Sequence, residues 1–331
     1  PAESEVLHGN QQRTLTESNK KEEIQMTMFI LRRLAQTIPV IIGVTFVVFF
    51  IMQLVPGDPA VLLAGEGASE ETIQAIREQL GLNKPMLVQY FDYLSNIVKG
   101  DFGVSLKNSQ PVLDEIIVRL PITIELAIFS IIITIVLGMI AGILSAVKPY
   151  SLTDTGVMLI ALIGISMPSF WLGLLLMFFF SVKLQIFPVA GWDSLSHIVL
   201  PALTLGAGGA AIVARMTRSS MLEVIRQDYI RTARAKGVKE RVIIYRHGLR
   251  NALIPVITVV GLQFGALLGG TVLVESIFAI NGLGRMIVDA IRMRDLPMVQ
   301  GGVLVASLVF VIVNLFVDVL YRFFNKRIEL N

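Results

Sequence analysis

Six stretches of this chain of 331 residues contain no Asp, Glu, Lys or Arg. They run from Leu34 to Gly57, Leu126 to Val147, Thr155 to Val182, Ser194 to Ala214, Asn251 to Val274 and Leu296 to Val317. A bilayer core of about 30 Å needs roughly 20 helical residues, and each run supplies that length. In lipid every backbone polar group must be satisfied within the protein, which leaves helices or closed barrels. Barrel strands would alternate apolar and polar residues, and these runs do not alternate. One such run could be a buried helix of a soluble protein. Six in one chain predict an all-α membrane protein with six spans, at about 34–57, 126–147, 155–182, 194–214, 251–274 and 296–317. Composition agrees: 54% of residues are hydrophobic and 16% charged, against about 25% charged in soluble domains.

The distribution of charge between the runs sets an expected orientation, because basic loops stay in the cytoplasm. Arg32 and Arg33 precede the first run, and Lys148 lies between the second and third. The segment 56–118 holds nine Asp/Glu against four Lys/Arg, whereas 215–250 holds ten Lys/Arg against three Asp/Glu. Arg322, Lys326 and Arg327 follow the last run. Basic segments thus alternate, as both termini in the cytoplasm require, with Lys183 an isolated exception. Residues 1–25 are polar and are expected to be a disordered tail or expression remnant, with Met26 as the native start.

The acidic segment, taken as an outer cap over 58–118, is too long for a turn. Pro56-Gly57-Asp58-Pro59 should stop the first span sharply, since Pro lacks an amide donor. Ser69, with Glu71 and Thr72, opens an expected helix through Leu80, closed by Gly81. A second amphipathic helix is expected over 85–98.

Several chemistries find no support. There is no cysteine, hence no thiol nucleophile or cysteine metal site. His8, His197 and His247 lack metal-ligand spacing. No Gly-x-x-x-x-Gly-Lys-Ser/Thr loop is present, so ATP is not bound by a P-loop here. Gly282-Leu283-Gly284-Arg285 reads as a turn. No nucleophile elbow or paired catalytic groups appear. The sequence shows no catalytic constellation and no metal-ligand set.

Small residues recur every four positions: Gly261, Gly265 and Gly269 in the fifth run, Ala202, Gly206, Ala210 and Ala214 in the fourth, Gly138 and Gly142 in the second. Such stripes let helix backbones approach closely. They fit either packing within the subunit or a face toward a second membrane subunit or a substrate path. Ionisable groups at membrane depth are costly and often functional; Glu125, Asn314 and Asp318 lie near span ends, where interfacial water can reach them, and Glu125 is the candidate for lining a pathway.

The strongest signal is the basic segment 218–250. It contains Asp228-Tyr229-Ile230-Arg231-Thr232-Ala233-Arg234-Ala235-Lys236-Gly237 and then Arg246-His247-Gly248-Leu249-Arg250-Asn251. Asp228 is expected to cap a short helix that Thr232, Ala233 and Ala235 keep slim and Gly237 ends. Such a helix could dock in a groove of another protein, lie free in solvent, or sit on anionic lipid.

From about Met26 onward the sequence resembles the permease subunits of binding-protein-dependent ABC importers, in the dipeptide/oligopeptide branch that includes glutathione and nickel permeases. The resemblance rests on Phe29-Ile30-Leu31-Arg32-Arg33-Leu34, Pro56-Gly57-Asp58-Pro59, Gly100-Asp101-Phe102-Gly103, Arg218-Ser219-Ser220-Met221, the two cytoplasmic motifs and Gly282-Leu283-Gly284. The family's coupling loop reads Glu-Ala-Ala, three residues, Gly, nine residues, Ile-x-Leu-Pro. Anchored on Gly237, it places Arg231-Thr232-Ala233 at the triplet and His247, Leu249 and Arg250 at the later positions. Ala233, Gly237 and Leu249 match, and arginine at 231 and 250 is usual in the peptide branch. Ala279-Ile280-Asn281 departs from the branch's frequent Trp-Pro, so no substrate contact is carried over there.

The resemblance implies a type I importer permease that moves dipeptides or other short peptides inward by alternating access. It implies a second, similar permease subunit, two cytoplasmic ATPase subunits that bind ATP and Mg²⁺, and an external substrate-binding protein. Glutathione or nickel uptake by the same type of permease, or a carrier driven by ion gradients, are the alternatives. On this resemblance the chain would be a transport subunit and not an enzyme, with no cofactor, metal or nucleic acid of its own. Its ATPase-coupling residues would be Asp228, Tyr229, Arg231, Thr232, Ala233, Ala235, Lys236, Gly237, Leu249 and Arg250. The location implied is a bacterial or archaeal plasma membrane.

Overall fold

A computed structural model describes residues 27–28, 31–51, 53–54, 58–65 and 67–324. The tail 1–25, Phe29-Ile30, Pro56-Gly57 and Lys326-Arg327 lie outside them. The described residues are helical, apart from loops and an isolated bridge between Val104 and Pro111. The helices are α1 (Leu31–Ile51), α2 (Pro59–Ala64), α3 (Glu70–Gln79), α4 (Met86–Val98), α5 (Val112–Val147), α6 (Leu152–Ser166), α7 (Ser169–Leu176), α8 (Leu195–Ile225), α9 (Asp228–Ala235), α10 (Glu240–Val242), α11 (Leu249–Ile277), α12 (Leu283–Met293) and α13 (Leu296–Phe324).

Among the described residues, α1, α5, α8, α11 with the turns before it, and α13 are long and apolar enough to cross a membrane. The run expected as a third span, 155–182, is not one straight helix. It divides into α6 and α7, bent by 109°, with α7 continuing as a π-helix over Met177–Lys183. The cause is local. Pro168 disfavours helical geometry at the residue before it, and Met167 is extended, at φ −83° and ψ 126°. Pro168 then starts α7, where a missing amide donor costs nothing.

The centre of the bundle is α5 against α8. Their contact is close because small residues meet there. A Cβ built on Gly138 would lie 2.7 Å from the Ala210 carbonyl oxygen, and one on Gly142 2.5 Å from the Thr217 Cβ. A Cβ built on Gly206 would likewise lie 2.7 Å from the Ser130 carbonyl oxygen. The stripes of the second and fourth runs are therefore consumed by packing within the subunit.

Three apolar clusters lie along the bundle. Leu126, Leu200, Leu205, Leu267, Val274 and Phe278 fill the middle. Val112, Ile116, Leu283, Met286 and Met298 join α5, α12 and α13 at one end, here the cap end. Ala146, Met221, Ile244 and Ala252 close the opposite end, here the loop end. Gly282-Leu283-Gly284-Arg285 is not the turn expected from the sequence but the start of α12, with Gly282 at its N-cap and Leu283, Met286 and Ala290 forming a buried face at helical spacing.

At the cap end, Asp58 accepts from the Ala60 amide at the start of α2, and Ser69 from the Thr72 amide at the start of α3. The Arg77 guanidinium beside Asp58 holds its carboxyl below the usual carboxylate range. Helix α4 lies along the flank of α1. The Tyr90 hydroxyl donates to the Ile42 carbonyl at 3.1 Å and sits 2.9 Å from Thr45 Oγ1, with Phe46 and Phe49 against its ring.

Candidate functional site

Helix α8 runs to Ile225 and the chain turns at once into α9. The residue before α9 is Gln227, extended at φ −68° and ψ 150°, and it makes no side-chain cap. Asp228 is thus the first helical residue and not the cap expected from the sequence. Its side chain is exposed, 3.4 Å from Arg231 Nη1. A carboxylate in the first turn still complements the positive end of the helix dipole, which is why Asp at this point reads as a cap from sequence alone.

The end of α9 is built as a Schellman turn. The Val238 amide donates to the Ala233 carbonyl at 3.2 Å and the Gly237 amide to that of Arg234 at 2.9 Å. This places Gly237 at φ +76°, a left-handed conformation that glycine adopts without penalty. A Cβ there would meet no atom within 4 Å, so the constraint is torsional and not steric. Across the turn, the Arg234 guanidinium grips both carboxylate oxygens of Glu240, at 2.6 and 3.2 Å.

Only Ile230 of α9 is buried, with no exposed surface, on the side that packs on the π-helix Ile243–Gly248. Asp228, Arg231, Thr232, Ala235 and Lys236 all face outward, while Ala233 is half-buried. Thr232 Oγ1 donates to the Asp228 carbonyl at 3.0 Å. Asn251 Nδ2 donates to the Tyr229 hydroxyl at 2.8 Å, tying α9 to the start of α11. Leu249 packs on the Ala146, Met221, Ile244 and Ala252 cluster, and Arg250 is exposed. The structure thus gathers the residues singled out in 228–250 at the loop end: Leu249 packs on the bundle, Ile230 and Tyr229 anchor α9, and Asp228, Arg231, Thr232, Ala235, Lys236, Gly237 and Arg250 stay open.

The other candidates are dispersed. Glu125 is exposed at the cap end, where Trp192 Nε1 donates to it at 3.1 Å. Gly261 and Gly265 meet Val317 and Asn314 of α13, at 2.3 and 2.9 Å from a built Cβ, but Gly269 faces open space. The stripe of the fifth run therefore splits between internal packing and a free face. Asp318 pairs with Arg33 of α1 at 3.1 Å.

Three buried carboxyl groups were not singled out from the sequence. Glu275, fully buried, accepts from Thr123 Oγ1 at 2.7 Å and the Arg285 amide at 2.8 Å. Asp295 accepts from Ser105 Oγ and the Leu106 amide. Asp154 binds Ser145, the Tyr150 amide and Arg218. Asp154 and Glu275 adjoin the charge-free runs and Asp295 lies just before one, so each resembled an ordinary loop residue flanking a span.

Residues 134–330 match the family described as binding-protein-dependent transport system inner membrane component, and residues 26–127 its N-terminal membrane component. The chain belongs to that family. It is 46% identical to the dipeptide transport system permease protein DppB of Alkalihalophilus pseudofirmus, over 92% of this chain and all of that one. It is 48% identical to the glutathione transport system permease protein GsiC of Escherichia coli K12, over 92% of this chain and 99% of that one. The fold is similar to a chain of the MetNI methionine ABC transporter in its inward-facing state, with TM-score 0.53 and 22% identity over 63% of this chain and 96% of that one. The protein is thus a multi-pass inner-membrane permease component of an importer. It is a transport subunit and not an enzyme, and it works with ATPase and substrate-binding-protein partners.

Proposed function

We propose that this permease moves short peptides into the cytoplasm, and that α9 with the turn at Gly237 is the surface on which an ATPase subunit docks. One observation carries the docking reading. Helix α9 buries one side chain, Ile230, is tied by the Tyr229 hydroxyl and the Arg234–Glu240 pair, and presents the rest of its surface outward beside the ends of α8 and α11. A helix built only for the subunit's own core would bury more of itself. The peptide assignment draws on relatives named for dipeptide and for glutathione transport; glutathione, itself a tripeptide, is the second reading.

In this scheme the loop end is cytoplasmic, the cap end external, and both termini are cytoplasmic. A second permease subunit completes the pathway, and two ATPase subunits bind ATP with Mg²⁺. Closure of the ATPase pair is passed through α9 to the spans, which alternate between outward and inward access. This chain supplies no nucleotide site.

The test substitutes Gly237→Val, which forces a branched side chain into the left-handed region. The spans should insert normally, because the turn lies beyond the apolar runs. ATPase co-purification should fall, or ATP hydrolysis should continue with little uptake. Normal values of both would sink the docking assignment. The substrate is tested by titrating the cognate binding protein with dipeptides, longer peptides and glutathione. Binding of none of them would overturn the peptide reading.

A further inference from the structure

At the loop end a single carboxylate joins three elements. Asp154, in the first turn of α6, is only 3% exposed. Ser145, near the end of α5, donates to Oδ1. The Tyr150 amide, in the α5–α6 turn, donates to Oδ2 at 2.8 Å. Arg218 of α8 donates through Nε to Oδ1 and through Nη2 to Oδ2, each at 2.7 Å. Tyr150 has φ +62°, a left-handed conformation that a non-glycine residue adopts at a cost. The carboxylate holds the amide of that residue. A two-pronged guanidinium–carboxylate pair fixes orientation as well as distance.

The position of this node gives it a consequence. Arg218 lies two helical turns before the end of α8, and α9 starts three residues after α8 ends. Asp154 lies at the start of α6, whose other end is the 109° break before α7. Much of α6 is exposed along its length, including Leu159, Ile160, Leu162 and Ile163. Its firm polar attachment among the described residues is thus at the loop end, to α5 and to the stretch of α8 that leads into α9.

We infer that the Asp154–Arg218 pair is the positioning link that makes α6, and with it the broken α6–α7 span, move with α8 and α9 when an ATPase subunit acts on α9. The link touches neither ATP nor substrate. It rests on the assignment of α9 as the docking surface, and goes beyond it by naming the route from that surface into the membrane.

The experiment uses the full transporter, with its partner permease, ATPases and binding protein, reconstituted in proteoliposomes. The double variant Asp154→Asn with Arg218→Gln removes both charges together, so no buried charge is stranded. The amides can still hydrogen-bond, but the rigid two-pronged pair is gone. The complex should assemble and hydrolyse ATP, while uptake per ATP falls at least about fivefold, the lower end of usual couplings between sites. Unchanged uptake per ATP in an assembled double variant would overturn the inference. Should that variant not assemble, Arg218→Lys decides. It keeps an ion pair yet binds the carboxylate as a point charge. A similar fall in uptake per ATP supports the link, and wild-type uptake per ATP rejects it. The wild-type complex separates the two proposals. If its ATP-driven uptake is absent, or persists when α9 is uncoupled by Gly237→Val, the docking assignment fails. If it is present and abolished by Gly237→Val, but unaffected by the Asp154 and Arg218 changes, only this link fails.

Discussion

Gly142 and Gly269 look alike in the sequence, each in a glycine stripe that recurs every four positions, yet the structure gives them opposite surroundings. A Cβ on Gly142 would sit 2.5 Å from the Thr217 Cβ and 2.6 Å from the Ala214 carbonyl oxygen, and neither can yield without parting α5 from α8. A Cβ on Gly269 would touch nothing. Overpacking a well-filled contact costs about 1–3 kcal/mol, whereas surface changes stay within about 0.5 kcal/mol. Gly142→Leu should therefore lower the thermal unfolding midpoint of the purified subunit in detergent, and Gly269→Leu should leave it in place. Equal midpoints for the two would mean that α5 and α8 are not in close contact. The stripes were legible in the sequence because small residues announce themselves. Their partners were not, because the register of a facing helix leaves no mark in the stripe itself. The buried acids show the same limit. Glu275 and Asp154 each stand one residue outside a charge-free run, and nothing in the local pattern separates a buried carboxyl from a solvated one.

At the scale of elements, α9 joins legible and illegible features in one helix. Gly237 was read as its end, and the Schellman bonds give the reason. The start was misplaced by one residue, because Asp favours both the cap and the first turn. The anchor could not be foreseen at all: Ile230 stands alone among polar neighbours, and only the fold brings the Ile243–Gly248 turn beneath it. Replacing Ile230 by Asp would put an unpaired charge into that contact, where burial without a partner is strongly unfavourable. Helix α9 should then detach while α8 and α11 remain intact. Limited proteolysis should cut within 226–248 in Ile230→Asp and spare the wild type, with helical circular dichroism nearly unchanged. A protected loop in the variant would mean that α9 is held by something other than this side chain. The broken third span makes a parallel point. Its charge-free run predicts a length, and Pro168 marks a place to bend, but the 109° turn depends on what the two halves pack against.

For the whole molecule, charge supplies the argument for which end faces the cytoplasm. The cap-end segment 56–118 carries nine acidic and four basic residues, and the loop-end segment 215–250 carries ten basic and three acidic ones. Basic residues close to span ends resist translocation, so the ten Lys/Arg of this segment should hold the α9 end inside. The chain lacks cysteine, so single thiols can be placed without removing native ones. Glu71 on α3 and Lys236 at the end of α9 are both exposed, which makes them suitable sites. Glu71→Cys should react with a membrane-impermeant maleimide in cells whose inner membrane is intact. Lys236→Cys should react only after that membrane is opened. If Lys236→Cys labels in sealed cells and Glu71→Cys does not, the bundle is inverted. The α9 surface would then face away from cytoplasmic ATP, and an ATPase could not dock there.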